Sequence, residues 1–189
     1  MAGFTVVYDA CVLYPAPLRD ILMQLATCDL FRACWTEQIL DEWMTGVISD
    51  RPDLSQSRLE RTKQLMNAAT LDSLVTDYEH LVPVVELPDD DDRHVVAAAI
   101  KCGASSIVTF NLRDFPASSL EPHNLEAIDP DEFIVQQFYL SQSKVIDSAR
   151  EHRARLKQPP KSVEEYLWTL EKQGLPRTVS LLWEYRQVI

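Results

Sequence analysis

At 189 residues, with 46% hydrophobic and 25% charged side chains, the chain has the length of one ordinary domain, or one domain with an appendage, and can bury a sizeable core. No apolar run approaches a membrane span, and the N-terminal MAGFTVVYDACVL lacks a basic region and a small-residue cleavage site, so a cytoplasmic protein with no membrane association is expected. The net charge of -11 is uneven: residues 1–140 hold 9 Lys+Arg against 23 Asp+Glu and residues 141–189 hold 9 against 6, which argues against bulk capture of nucleic acid but not against an enzyme whose carboxylates hold cations.

In chain order, FTVVY (4–8) is a short β-branched and aromatic run ending at Asp9, which reads as a buried parallel strand. Leu18, Ile21, Leu22 and Leu25 fall on one stripe of a helix opened by Pro17. FRACW (31–35) is a second strand, and Ile39, Leu40, Trp43 and Val47 line a helix capped by Thr36. Two polar helices are expected at 56–69 and 72–80. VPVVEL (82–87) reads as an edge strand because Pro83 cannot donate to a ladder. DRHVVAAAIKC is a helix closed by Gly103, SSIVTF (105–110) a fourth strand followed by the loop NLRDF, and LEAI (125–128) a fifth.

From residue 131 onward the pattern is all-helical. Asp129, Pro130 and Glu132 form one helix start and Ser162 with Glu165 another, with breaks at QPPK (158–161), Gly174 and Pro176. Phe133, Phe138, Tyr166, Trp168, Leu170 and Trp183 are available there for packing. Strands alternating with helices predict an α/β fold with a parallel sheet of about five strands, whose sites form beyond the strand carboxyl ends. Cys11, Cys28, Cys34 and Cys102 form no CxxC pair and read as reduced, small core residues. His80, His94, His123 and His152 show no zinc spacing and read as surface or polar-edge residues.

The run of four aspartates in ELPDDDDRHVVAAAI requires an explanation, because like charges repel. At about 100° per residue, Asp92 falls on the same helix face as Val95, Val96 and Ala99, whereas Asp91 and Asp90 turn toward solvent and Asp89 is placed as the cap. A carboxylate on an apolar stripe is costly unless paired or bound to a cation. Asp9 and Asp114 lie at or just beyond strand ends, so the three are expected to converge, and an all-oxygen set favours Mg²⁺ or Mn²⁺ over zinc.

Together and in this order, VVYDACVL, TEQILDEW, PDDDDRHVVAAAI and IVTFNLRDFP resemble the PIN domain of metal-dependent ribonucleases, above all the VapC-type toxins of toxin–antitoxin modules. The resemblance covers residues 4 to about 133. It implies a three-layer α/β/α PIN domain over residues 1–133 and a helical C-terminal extension over 134–189, similar to that of a longer subgroup. It carries the family's acidic residues onto Asp9, Glu42, Asp92 and Asp114, with Asn111 standing at the first position of the last acidic pair. Periodicity does not itself select Glu42, and Glu37 is its rival. Thr109 matches a threonine that would hold one of the carboxylates; an ordinary β-branched strand residue is the competing reading. The resemblance implies metal-dependent hydrolysis of RNA, an antitoxin partner and a homodimer. Arg19, Arg93 and Arg113 near the site, and Arg150, Arg153 and Lys157 on one face of a tail helix, are candidate phosphate contacts, a solvated basic face being the alternative for the last three. The rival readings are a catalytically silent PIN scaffold, a metal-dependent DNA nuclease, and, more remotely, a haloacid-dehalogenase or receiver domain. Cys11 stands where the dehalogenase type needs a second aspartate.

Overall fold

The computed structural model describes residues 3–189. Strands β1 (Thr5–Tyr8), β2 (Arg32–Cys34), β3 (Ser106–Val108) and β4 (Glu126–Ile128) form one parallel sheet in the order β2-β1-β3-β4. Val6, Val7, Tyr8, Ile107 and Val108 are fully buried, as expected of a sheet covered by helices on both faces. The chain passes from β1 to β2 on one side and later returns to β3 on the other. The topological switch therefore lies at the carboxyl end of β1, where α/β sheets open a crevice. Asp9 follows β1 and Thr109 follows β3, and the Asp9 amide donates to the Val108 carbonyl at 3.1 Å.

Around the sheet lie α1 (Ala10–Leu13), α2 (Ala16–Ala26), α3 (Glu37–Asp50), α4 (Gln56–Ala69), α5 (Arg93–Cys102) and α6 (Ala117–Leu120). Thr36 caps α3 by accepting from the Ile39 amide at 3.1 Å, and Gly103 closes α5 with φ +65°. Among the described residues, no helix is long and apolar enough to cross a membrane.

Two expectations from the sequence are corrected. Residues 72–80 are not a helix: Asp72 and Asp77 have φ +58°, a conformation no right-handed helix contains, and residues 73–75 run extended beside Trp35. The Trp35 amide donates to the Ser73 carbonyl at 3.0 Å and the Val75 amide to the Trp35 carbonyl at 2.8 Å, so this segment lies along the β2 edge. VPVVEL adds no fifth strand; Glu79–Val84 is a 3₁₀ helix that accommodates Pro83, and the sheet has four strands.

The tail consists of α7 (Pro130–Leu140), α8 (Gln142–Arg155), α9 (Val163–Lys172) and α10 (Pro176–Trp183). Asp129 caps α7, and Ser162 and Glu165 form a reciprocal capping box at α9. Glu132 does not reach back to its own helix start but pairs with Arg177 on α10. Phe133 joins the core that covers the sheet, edge-on to Phe31 at 4.9 Å and to Tyr8 at 6.3 Å. Trp168 and Trp183 are largely exposed rather than packed, because their helices turn them outward; Lys172 covers one ring and Arg186 lies over the other. His94 and His152 are buried, not on the surface. His152 shares a hydrogen bond with the Tyr166 hydroxyl at 3.1 Å, and burial pushes its pKa down to about 4.

Candidate functional site at the carboxyl ends of the central strands

Asp9 is 4% exposed at the switch point and is held from three sides. One carboxylate oxygen accepts from the Ala10 amide at 2.7 Å, opening α1. The other accepts from the Thr109 hydroxyl at 2.7 Å and the Cys11 thiol at 3.1 Å. Thr109 in turn accepts from the Asn111 amide at 3.0 Å, and Cys11 accepts from the Phe110 amide at 3.3 Å. The loop after β3 is thus tied to the loop after β1 by side chains, and Asp9 has little rotational freedom. Burial, then the Asp9 charge, pushes the Cys11 thiol up to about 12, so it stays protonated and donates.

Asp92 is the last residue of a 3₁₀ turn (Asp90–Asp92) directly before α5, a turn that Asp89 opens by accepting from the Asp91 amide at 2.9 Å. The sequence places Asp89 as the cap, and it is one, but of this turn rather than of α5. The Asp92 carboxyl is pushed up to about 6, first by burial and then by Asp9, Asp89 and Asp114, with His94 opposing. The charges of Asp9 and Asp114 thus reach Asp92. Asp114 is half-buried at the end of a turn in which its amide donates to the Asn111 carbonyl at 2.9 Å; Asn111 is exposed.

Among the described residues, no three His, Cys, Asp or Glu side chains converge closely enough to hold a metal ion by themselves. The set fits a hard cation by charge and by donor type but is not a closed shell. Such an arrangement suits Mg²⁺, which commonly takes one or two carboxylates, keeps several waters and completes its sphere with substrate phosphate.

The two rival glutamates have different surroundings. Glu37 pairs with Lys63 on α4, which also binds Asp41 at 2.9 Å. Glu42 faces α5, its Oε1 3.0 Å from His94 Nε2, and it lines an open cleft of about 330 Å³ with Ala10, Cys11, Tyr14 and Trp43. Glu42 therefore stands beside the start of α1 and the helix that follows Asp92.

The basic candidates divide similarly. Arg19 is buried: it donates to the Leu13 carbonyl at 3.0 Å and stacks 4.6 Å over Trp43, so its guanidinium serves the core. Arg93 pairs with Asp90 at 2.5 Å. Arg113 is exposed in the loop between Asn111 and Asp114. The expected basic face of the tail helix is not formed. Arg150 pairs with Asp147 at 2.7 Å, Arg153 donates to the carbonyls of Ile189 and Lys161, and Lys157 lies beyond the end of α8.

Sequence reasoning passed over two residues of the site. Cys11 is the second residue after Asp9, at the point where a strand turns into a helix. His94 opens HVVAAA, a segment apolar on every face; that closed pattern was the legible sign that its histidine is buried.

The sequence profile of the PIN domain matches residues 5–113, and that of the VapC50 C-terminal domain matches residues 130–184. A curated protein of Mycobacterium tuberculosis (strain ATCC 25618 / H37Rv), named "Putative ribonuclease VapC50", is 47% identical over 49 residues. That stretch is 26% of this chain and 29% of the relative. No solved structure matches significantly. With more than half of its length matched by the first profile, and the second profile matched behind it, the chain belongs to the PIN-domain family.

Proposed function

We propose that this chain is a divalent-metal-dependent endoribonuclease, the toxin of a toxin–antitoxin pair. One observation carries the chemistry: the Asp92 carboxyl is pushed up to about 6 because it is partly buried and faces Asp9, Asp89 and Asp114. Uncompensated anionic charge at the switch point of an α/β sheet is the electrostatic signature of a cation site. Membership of the PIN family and the name of the Mycobacterium tuberculosis relative support RNA as the substrate and an antitoxin protein as a partner. Homodimerisation belongs to the same reading.

Asp9, Asp92 and Asp114 would hold the cation, Mg²⁺ or Mn²⁺, which when bound supplies Lewis acidity at a phosphodiester. Asp9 is fixed for this by Thr109 and the Ala10 amide, so little conformational entropy is lost on binding. Glu42 is the exposed carboxylate beside the cleft; it orients a water and accepts its proton as the water attacks phosphorus, the bridging P–O bond to the leaving nucleotide breaks, and the released oxygen takes a proton from solvent. Arg113, exposed in the loop after β3, is placed to meet an RNA phosphate.

The test is cleavage of total bacterial RNA by the purified chain with Mg²⁺, Mn²⁺ or EDTA, beside Asp9→Asn. Cleavage that needs the metal and disappears in the variant supports the reading. The lack of a preformed three-ligand set favours one second reading, a PIN scaffold that binds partners without cleaving. Absence of cleavage together with absence of Mn²⁺ binding in a titration would overturn the metal-dependent reading and shift weight to that alternative. Cleavage of single-stranded or duplex DNA in preference to RNA would move the substrate class instead.

A further inference from the structure

We propose that His94 is a positioning residue that fixes Glu42 against the acidic site, an inference that rests on the nuclease reading above. Glu42 projects from α3 with its side chain 39% exposed, and a free glutamate there would sample many rotamers. Two groups reach the same oxygen: His94 Nε2 lies 3.0 Å from Oε1, and the Gln38 amide donates to it at 3.1 Å. Both contacts fall on Oε1, and among the described residues no hydrogen bond to Oε2 is formed. Gln38 is itself steadied, since its own carbonyl accepts from the Tyr78 hydroxyl at 3.4 Å.

His94 is 5% exposed in the first turn of α5, two residues after Asp92. A carboxylate can only accept, so His94 holds Glu42 as the tautomer with the proton on Nε2, its Nδ1 being buried without a hydrogen-bond partner. The imidazole is buried, and α5, which carries His94, begins directly after Asp92. One side-chain contact therefore sets the position of the proton acceptor on α3 relative to the acid just before α5. His94 itself does not reach the reacting atoms; it acts through Glu42. Orienting partners of this kind typically contribute about 10- to 100-fold to activity.

The experiment is a double-mutant cycle read as kcat and KM for RNA cleavage, with thermal unfolding of every variant. His94→Leu is expected to lower kcat about 10- to 100-fold with KM changed less than about twofold. His94→Gln, whose amide can occupy the place of Nε2, is expected to restore most of the loss. His94→Asn, too short to reach Glu42, is expected to behave like the leucine variant and replaces it if that variant does not fold. In a Glu42→Gln background the loss from His94→Leu should shrink to less than about twofold, because the residue it positions has already lost its function. Unchanged kcat in both His94→Leu and His94→Asn overturns the inference, as does a loss that adds in full to that of Glu42→Gln. A wild-type chain that cleaves no RNA with any metal overturns the nuclease reading first, and the inference with it.

Discussion

Two aspartates of this molecule are almost equally buried and do opposite things. Asp131, in the first turn of α7, is 5% exposed, and both its oxygens are saturated by backbone: it accepts from the Arg177 and Thr178 amides at 2.8 Å each and so caps α10. Asp9, 4% exposed, accepts one backbone amide, a hydroxyl and a thiol, and shares its surroundings with Asp92 and Asp114. In the tail a buried carboxylate meets the positive end of a helix and stabilises a packing. At the sheet end Asp9 also opens a helix, the short α1, but its charge adds to those of Asp89 and Asp114 in pushing up the Asp92 carboxyl, which raises the free energy of the metal-free fold and leaves charge for a ligand. Burial of an acid is therefore not by itself a sign of function; what its lone pairs face decides.

Substituting each aspartate sharpens the contrast. Asp9→Asn is expected to lower metal-dependent RNA cleavage by at least about a thousandfold, on the order of 4 kcal/mol of transition-state stabilisation, with the unfolding midpoint nearly unchanged. Asp131→Ala is expected to do the reverse. It leaves two α10 amides buried without a partner and should cost about 2–4 kcal/mol in urea unfolding, while the activity of the protein that remains folded is retained. Equal stability losses in the two variants would show that both acids are structural.

Asp92 tests the same contrast through pH. Its carboxyl is raised to about 6 in the folded chain, so between the ordinary carboxylate value and pH 6 the native state binds its proton more tightly than the unfolded state does. Stability from this group is fully present below about pH 4 and is lost as pH rises through about 6. Asp92→Asn removes the charge that causes the loss. The variant should exceed the wild type by about 1 kcal/mol at pH 7.5, a figure discounted because the side chain is only partly buried, and the difference should vanish near pH 4. Mn²⁺ should raise the thermal midpoint of the wild type at pH 7.5 and that of the variant much less. A wild-type midpoint that does not respond to Mn²⁺ would remove the cation from the account.

Where the signal was local, the sequence was informative. The ends of β1 and β4, the Thr36 cap, the α4 span, the Gly103 stop and the α9 capping box each depend on residues within a few positions of one another, and each is found; SSIVTF ends as a strand at Val108, two residues early. Within the run of aspartates Asp92 is partly buried while Asp89, Asp90 and Asp91 are exposed, although Asp92 ends a 3₁₀ turn and does not lie in α5, whose periodicity the assignment used. Long-range competition was illegible. VPVVEL has strand composition, but residues 73–75 run along the β2 edge through backbone bonds to Trp35 that no pattern announces. Arg19 and Arg153 read as surface cations because their acceptors are main-chain carbonyls, at Leu13, Lys161 and Ile189, which any residue type supplies. The pairing of Glu42 with His94 joins positions 52 residues apart, and neither helix stripe contains both.

The smallest effect tests whether the two regions are independent. Gly174, in the turn between α9 and α10, has φ +82°, and a Cβ built there would lie 3.4 Å from the Phe110 ring. Phe110 is the residue between Thr109, which holds Asp9, and Asn111, and its amide donates to Cys11. The tail therefore touches the loop that secures the site. Gly174→Ala should cost about 1 kcal/mol, chiefly from the left-handed backbone that alanine resists, since 3.4 Å is ordinary contact. If the tail only packs beside the site, cleavage by the folded variant stays at the wild-type level. If the turn sets the position of Phe110, kcat falls by more than the lost folded fraction explains, and Phe110→Leu in the same background restores room and part of the rate. The measurement is kcat beside the unfolding midpoint for the three proteins, and a proportional fall in both would keep the tail a purely structural neighbour of the site.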